Sequence, residues 1–211
     1  AKFDGTNWII YNINNSGLPN NNVFALALDN QNNLWIGTYG GGLAKFDGNN
    51  WTIYNQSNSG LPHNNVYSIA FDSQNRLWIG TANHISGQVG GGVAVYDGVN
   101  WNSYNINNSE LPHNDVYAVA IDDSDNVWMG TGEHIPISVG GLAKFDGTNW
   151  TVFNKNNCPL PYDLVYTIHI DILGNKWIGS INFDEPGGLV IYREGGVIIS
   201  VSDNHNTEVP S

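Results

Sequence analysis

Four histidines are the side chains of this sequence best suited to chemistry, and they recur in pairs. His63 and His113 occupy equivalent places in "LPHNN" and "LPHND", whereas His84 and His134 follow the apolar runs "LWIGT" and "VWMGT". An imidazole can donate or accept a hydrogen bond, and it can act as a general base near neutral pH. Carboxylate, amide and phenol groups accompany the histidines, so together they offer many donors and acceptors to a hydroxyl-rich ligand. The predicted ligand-binding residues are His63, Asn64, His84, His113, Asp115, Glu133, His134, Tyr162, Asp163 and Asp184.

These residues do not form a complete catalytic signature, because no acid and base are paired at a diagnostic spacing. The lone Cys158 has no assignable basic partner, and neither a CxxC pair nor a zinc-finger spacing occurs. The segment "DDSDN" (122–126) resembles the start of a calcium loop but lacks the central glycine and the distal glutamate. No phosphate-cradling glycine motif follows a strand. We therefore predict no catalytic residue, no metal site and no cofactor.

The charge balance restricts the class of partner. A net charge of −12 opposes binding to nucleic acids or anionic lipid surfaces, because their phosphates would be repelled. A hydrophobic content of 41% indicates a folded chain. No apolar run approaches the ~20 residues that span a bilayer, and no signal-like segment follows residue 1. We therefore expect no nucleic-acid partner and no membrane segment in this chain.

A repeat marked by tryptophan positions these residues. The eight tryptophans form one column of "NW" pairs and a second column in "WIG" or "WMG". The step from the first column to the second is 27 residues in every repeat, whereas the step to the next repeat is 16, 23 or 22 residues. Length therefore varies in one short interval, which contains His84 and His134. The columns are Trp8, Trp51, Trp101 and Trp150, and Trp35, Trp78, Trp128 and Trp177.

Each repeat contains four strand signals, named a, b, c and d in chain order. In the second repeat they are "NVYSIAFD", "RLWIGT", "GGVAVYDG" and "NWNSYN", with tight Asp, Asn and Gly turns after strands a and c. Four-stranded antiparallel units of ~40 to 50 residues in tandem predict a β-propeller, with the tryptophans packed between blades. The d-to-a and b-to-c connections would leave at one end, the loop face, and the tight turns at the other end, the turn face. All the predicted binding residues lie on the loop face, where extra loop residues on a rigid scaffold can build a site.

The segment "LDNQNNLWIGTYGGGLAKFDG" and its copies resemble the two-component regulator propeller repeat. That pattern has an Asp, a turn with Gly or Asn, "LWIGT", "GGL" and an aromatic residue before Asp. The resemblance covers nearly the entire chain. It implies a propeller fold and a periplasmic or extracellular location, because such repeats are typical of sensor regions of bacterial hybrid two-component systems and of secreted proteins without a kinase. Sensor regions of that type carry many more repeats than this chain.

The predicted organisation is a single β-propeller domain over residues 1–211 with about four and a half blades. The parts are a half-blade at 1–12, blade one at 22–55, blade two at 65–105, blade three at 115–154, blade four at 164–202 and a tail at 203–211. The half-blade leaves three arrangements open: a fragment of a longer propeller, an open arc completed by another chain, or an irregular five-bladed ring. Its exposed edge would allow self-association.

Three functions compete for the loop face. The sequence favours a non-enzymatic ligand-sensing or recognition propeller of an exported bacterial protein, with an oligosaccharide or another small polar ligand bound there. One alternative is a protein-interaction or structural scaffold. The other is a lyase that resembles the streptogramin-lyase propellers, with a histidine as the general base.

Overall fold

A computed structural model shows an all-β chain and describes residues 1–83, 89–133, 139–181, 187–194 and 199–201. Within these ranges every regular element is a β-strand. The same ranges contain no helix long and apolar enough to cross a membrane. The described strands form one two-stranded sheet and four four-stranded antiparallel sheets. The predicted all-β propeller of about four and a half blades is confirmed.

Each blade is a meander whose strands pair in chain order. The half-blade contains β1 (Lys2–Phe3) and β2 (Trp8–Ile9). Blade one contains β3 (Val23–Leu28), β4 (Leu34–Thr38), β5 (Gly42–Phe46) and β6 (Trp51–Tyr54). Blade two contains β7 (Val66–Phe71), β8 (Leu77–Thr81), β9 (Gly92–Tyr96) and β10 (Trp101–Tyr104). Blade three contains β11 (Val116–Ile121), β12 (Val127–Gly132), β13 (Gly140–Phe145) and β14 (Trp150–Phe153). Blade four contains β15 (Val165–Ile170), β16 (Lys176–Ser180), β17 (Gly188–Tyr192) and β18 (Ile199–Val201).

Aspartates on the turn face explain why consecutive strands fold back on each other. After β3, Asp29 Oδ1 accepts the N–H of Asn33 at 2.9 Å, and Asn32 adopts a φ of 64°. After β5, Asp47 Oδ1 accepts the N–H of Asn50 at 2.7 Å. A short carboxylate that bonds nearby backbone amides closes a tight turn, and Asn tolerates the left-handed conformation. These aspartates therefore build turns, as the sequence indicated.

The second tryptophan column packs blade against blade. Trp35, Trp78 and Trp128 are buried, and each belongs to a cluster that includes residues of the following blade. In the first column, Trp101 and Trp150 are half-buried and lie beside Tyr54 and Tyr104 of the preceding blade, with ring centroids 5.7 and 5.6 Å apart. The prediction that tryptophans pack between blades is thus confirmed for these three members of the second column and for Trp101 and Trp150 of the first.

Close packing between strands b and a fixes the spacing of the blades. The strands a, which are β3, β7, β11 and β15, contact one another in that order. We call the contact between two neighbouring blades a seam. At the first seam, between blades one and two, a Cβ added to Gly37 of β4 would lie 2.6 Å from Cγ1 of Val66 in β7. Glycine is therefore required where the next strand approaches this closely. The same contact recurs between Gly80 and Val116, so the blades stack in a regular way.

Candidate functional site

Backbone hydrogen bonds bring the two kinds of loop together on the loop face. The N–H of Gly42, after the b-to-c loop of blade one, donates to the carbonyl of Asn64 at 2.9 Å. The N–H of Gly92 donates to the carbonyl of Asn114 at the same distance. Asn64 and Asn114 belong to the d-to-a loops that lead into the following blades. The first residue of strand c in blades one and two therefore lies against the d-to-a loop that leads into the following blade.

The histidines at positions 63 and 113 hold their own loops in shape. His63 Nδ1 accepts the N–H of Asn65 at 3.0 Å, and His113 Nδ1 accepts the N–H of Asp115 at 3.0 Å. In blade one, Asn20 Oδ1 accepts the equivalent N–H at 2.8 Å. The imidazole thus replaces an asparagine side chain as the acceptor of this turn. Because Nδ1 acts as an acceptor in both rings, Nε2–H is the group of each ring that can donate to a ligand.

Two predicted carboxylates, Asp115 and Glu133, lie close to His113, and His63 lies near Asp115. His113 Nδ1 lies 3.7 Å from Asp115 Oδ2, and His113 Nε2 lies 4.0 Å from Glu133 Oε2. His113 is buried, whereas the side chain of Glu133 is 33% exposed. Burial lowers the pKa of His63, and the nearby charge of Asp115 opposes this effect. We call His63, His113, Asp115 and Glu133 the His113 cluster.

Asp115 also anchors the b-to-c loop of blade two. Its Oδ1 accepts the N–H of Asn83 at 2.6 Å and the N–H of Gly90 at 2.7 Å. These two donors stand on either side of residues 84–88. Asp115 and Asn83 are both buried. Through these two hydrogen bonds Asp115, which belongs to the d-to-a loop before blade three, joins that loop to blade two.

The other predicted site residues do not belong to the His113 cluster, and two of them form hydrogen bonds within their own loops. Asn64 Oδ1 accepts the N–H of Gln56 at 2.9 Å, and Asp163 Oδ1 accepts the N–H of Lys155 at 2.7 Å, so each closes its own d-to-a loop. Tyr162 is half-buried in the d-to-a loop before blade four. Ligand binding by these three residues stays a prediction. The predicted residues that lie outside the described ranges are His84, His134 and Asp184.

An arc of aromatic side chains next to the loop face was missed by the sequence analysis. The aromatic arc consists of Phe24, Tyr67, Tyr117 and Tyr166, which occupy the second position of each strand a. Phe24 stacks on Tyr67 with centroids 4.7 Å apart, Tyr67 meets Tyr117 edge-on at 5.4 Å, and Tyr117 stacks on Tyr166 at 4.7 Å. All four line a cavity of about 440 Å³. The recurring Val-Phe or Val-Tyr pair that begins each strand a was the available sequence signal.

The tyrosines of the arc are neutral hydrogen-bonding groups. Burial raises the pKa of Tyr67, Tyr117 and Tyr166, and the negative charge of Asp115 adds to this effect at Tyr67 and Tyr117. The site therefore combines neutral phenols with the charged and polar groups of the His113 cluster. Across the ranges given above, no three His, Cys, Asp or Glu side chains are grouped as metal ligands.

A family profile described as the two component regulator propeller matches residues 17–40, 60–83 and 110–133. Each match begins in the d-to-a loop, covers strand a, the tight turn and strand b, and ends just after strand b. This chain contains three two component regulator propeller repeats. No curated protein sequence matches it significantly.

This chain is similar to solved structures of several propeller proteins. The extracellular domain assigned to a hybrid two component system of B. thetaiotaomicron aligns with a TM-score of 0.65 and 22% identity, over 82% of this chain and 22% of that domain. A streptogramin B lyase aligns with a TM-score of 0.62 and 9% identity, over 87% of this chain and 55% of the lyase. PorZ, a surface component of the type-IX secretion system of Porphyromonas gingivalis, aligns with a TM-score of 0.57 and 17% identity, over 92% of this chain and 28% of PorZ. At these identities the likeness concerns the fold, and the chain spans only 22% of the first structure's length.

The three matched repeats share some residues of the candidate site and differ at others. His63 and His113 occupy one repeat position, where blade one has Asn20, so an acceptor for the turn is common to all three matches. Glu133 is the last residue of the third match, and the same position holds Gly40 in the first match and Asn83 in the second. The carboxylate at position 133 is therefore not required by the repeat.

Proposed function

We propose that this chain is a ligand-recognition propeller of an exported bacterial protein and that the His113 cluster and the aromatic arc hold its ligand. The observation that carries this proposal is the placement of Glu133 Oε2 at 4.0 Å from Nε2 of the buried His113. Two component regulator propeller repeats and the fold shared with an extracellular domain support a sensing role in the periplasm or outside the cell. The rest of a sensing protein would convert binding into a signal.

The distance between His113 Nε2 and Glu133 Oε2 suits a bridging hydroxyl group. A direct hydrogen bond to Nε2–H requires about 2.7 to 3.2 Å, so the two atoms leave room for a bridging ligand atom. A hydroxyl could accept from Nε2–H of His113 and donate to Glu133, because a hydroxyl has both functions. The aromatic arc supplies flat apolar surface and phenol groups in a cavity of about 440 Å³. An oligosaccharide offers hydroxyls and apolar ring faces together, so it is the ligand class that we propose.

A lyase is the second candidate, because the same pair of side chains could act as base and acid. His113 Nδ1 is committed to the N–H of Asp115, so only Nε2 could exchange a proton with a substrate. The fold shared with streptogramin B lyase makes this alternative worth testing. A recognition propeller releases its ligand unchanged, whereas a lyase converts it, so mass spectrometry of the recovered ligand distinguishes the two.

The test is a glycan-array screen of the full chain, followed by calorimetric titration of the best glycan into three variants. Glu133→Gln removes the charge, and His113→Asn keeps the turn acceptor, as Asn20 does, but removes Nε2–H. The control is Glu110→Gln, which removes an exposed carboxylate from a d-to-a loop and so changes the net charge by the same amount as Glu133→Gln. We expect each cluster variant to weaken binding by about tenfold or more, since a lost charged hydrogen bond is worth ~1.5 to 3 kcal/mol.

Circular dichroism of each variant shows whether the fold is retained. The proposal is wrong if no glycan binds, or if Glu133→Gln and His113→Asn bind the glycan as tightly as Glu110→Gln does.

A further inference from the structure

We propose that the outer side of blade one is a docking site for a β-hairpin of this same repeat type. The site consists of the exposed face of β3 and the outer edge of β1, and we call it the open seam. It lies at the side of blade one opposite blade two, so it is a different surface from the His113 cluster. The inference does not depend on the proposed ligand.

The apolar residues of β3 are exposed although their counterparts in other blades are covered. Val23 is 39% exposed, whereas Val66, Val116 and Val165, which begin the other strands a, are fully buried. Leu26 is 62% exposed, whereas its counterpart Ile69 in β7 is buried.

Farther along β3, Leu28 is 59% exposed, so the exposed face continues over alternate residues of the strand. A contiguous apolar patch of this kind on a folded chain indicates an interaction surface.

The half-blade presents a strand edge beside this face. In blade one, β5 pairs with β4 through Trp35 opposite Lys45 and Leu34 opposite Phe46. Lys2 and Phe3 of β1 correspond to Lys45 and Phe46, and within the described residues β1 pairs only with β2. The backbone groups on the other edge of β1 are therefore positioned to accept a further strand.

A groove connects the edge of β1 to the apolar face of β3. It has a volume of about 500 Å³ and runs between the half-blade and blade one. Its apolar wall includes Leu18, Leu26, Ile36 and Trp51. An extended segment can lie in such a groove, with its backbone paired to β1 and its side chains against β3.

The three seams inside the chain identify the occupant. In each of them, the glycine of a Trp-Ile-Gly or Trp-Met-Gly strand b covers the valine that begins the next strand a. A Cβ at Gly37 would lie 2.6 Å from Val66 Cγ1, and a Cβ at Gly130 would lie 2.7 Å from Val165 Cγ1. Val23 would be covered by a strand b with the same glycine, and this strand would come with its own strand a as a hairpin. The partner is therefore an a-to-b hairpin of a regulator propeller repeat rather than any extended peptide.

The experiment uses the full chain and a fluorescent peptide with the sequence of residues 65–82, which contains strands a and b of blade two. Binding is followed by fluorescence anisotropy. The control peptide is identical except for Gly80→Val, which places a branched side chain where the seam has no room for one. Two chain variants are compared: Leu26→Glu puts a charge in the open seam, and Ile172→Glu puts the same charge on an almost fully exposed residue of a blade-four turn.

We expect saturable binding of the first peptide, weakened about tenfold or more by Leu26→Glu and by Gly80→Val in the peptide, and unchanged by Ile172→Glu. Both side chains replaced in the chain are exposed, so the variants retain the fold. Absence of saturable binding, or equal binding by the two chain variants, would overturn the proposal. Sedimentation tests the other occupant, a second copy of the chain. If the chain forms dimers that Leu26→Glu abolishes and that the peptide does not displace, the second copy occupies the open seam and the proposal is overturned.

Discussion

The N–H of Ser73 donates to Asp125 Oδ1 at 2.9 Å and links the tight turns of blades two and three. The Ser73 hydroxyl bonds the other oxygen of the same carboxylate. Across the preceding seam, the N–H of Asn30 donates to Asn75 Oδ1 at 3.0 Å. Asn75 and Asp125 have φ angles of 61° and 60°, which direct their side chains at the previous blade. Blade four has Gly174 at this place, with a φ of 76° and no side chain to form the next link.

Replacing Gly174 by Asn should stabilise the protein. Asparagine tolerates a left-handed backbone, and a Cβ at this position would meet no atom within 4 Å. Its side-chain oxygen would reach the N–H of Asp123, the counterpart of Ser73. We expect a gain of ~0.5 to 1 kcal/mol from the new hydrogen bond and from the less flexible unfolded chain. The free energy of unfolding in urea measures it.

Gly174→Ala is the matched control. Alanine lacks the acceptor and prefers other backbone angles, so we expect a loss of ~1 kcal/mol relative to the wild type. If Gly174→Asn is no more stable than Gly174→Ala, the turn-to-turn link contributes nothing at this seam.

Most of the fold was predictable because each local signal recurs in every repeat. Asp29 and Asp47 indicated turns by their place after strand signals, and they form those turns. Trp35 follows Trp8 by the 27-residue step that every repeat keeps, and it packs between blades one and two. The seam glycine was less obvious, because the need for Gly37 arises only from the approach of Val66, a distant residue in the chain.

The site was harder to predict because function depends on which atoms already have partners. His63 and His113 were predicted to bind a ligand, yet their Nδ1 atoms accept a backbone N–H of the turn in the way that Asn20 Oδ1 does. Their alignment with an asparagine could have signalled this role. The convergence of Glu133 on His113 depends on how two blades meet, which sequence spacing alone does not define.

His63 should make stability depend on pH. Burial lowers the pKa of His63 below 6.5, so the unfolded chain binds a proton more readily than the folded chain does. Stability from this residue is therefore complete above about pH 6.5 and declines as the pH falls through the range below it. The added proton would occupy Nδ1, which now accepts the N–H of Asn65. The unfolding free energy should accordingly fall between pH 7 and pH 5.

His63→Asn isolates that contribution. Asparagine keeps the turn acceptor, as at Asn20, but does not titrate. We expect the loss of stability between pH 7 and pH 5 to be smaller in the variant than in the wild type, in parallel urea titrations. Identical pH profiles would show that His63 does not contribute to the dependence.

Asp115 should stabilise the backbone at Asn83 and Gly90. Asp115→Leu, which copies Leu164 of blade four, removes the acceptor for the N–H groups of Asn83 and Gly90. We expect a loss of ~1 to 3 kcal/mol from unsatisfied buried amides, together with faster hydrogen exchange at both N–H groups. Asp115→Asn keeps one oxygen acceptor, so its effect should be smaller. Unchanged exchange at Asn83 and Gly90 in the leucine variant would contradict the anchoring role.

Trp128 should stabilise the chain through a hydrogen bond as well as through packing. Its Nε1–H donates to Asp122 Oδ2 at 2.9 Å. Burial alone would raise the pKa of Asp122, but the hydrogen bonds from Trp128 and Asn126 outweigh burial and lower the pKa below 3.8. Trp128→Phe keeps an aromatic ring and removes the donor, so we expect a loss of ~1.5 to 3 kcal/mol at pH 7.

The pH dependence distinguishes the hydrogen bond of Trp128 from the packing of its ring. A carboxylate with a lowered pKa contributes stability that is present above about pH 3.8 and is lost as the pH falls through the folded-state value. The difference between wild type and Trp128→Phe should therefore be smaller at pH 3 than at pH 7. Trp8→Phe is the control, because Trp8 is 68% exposed and should matter little at either pH. A difference that is equal at both pH values would mean that Trp128 acts through packing alone.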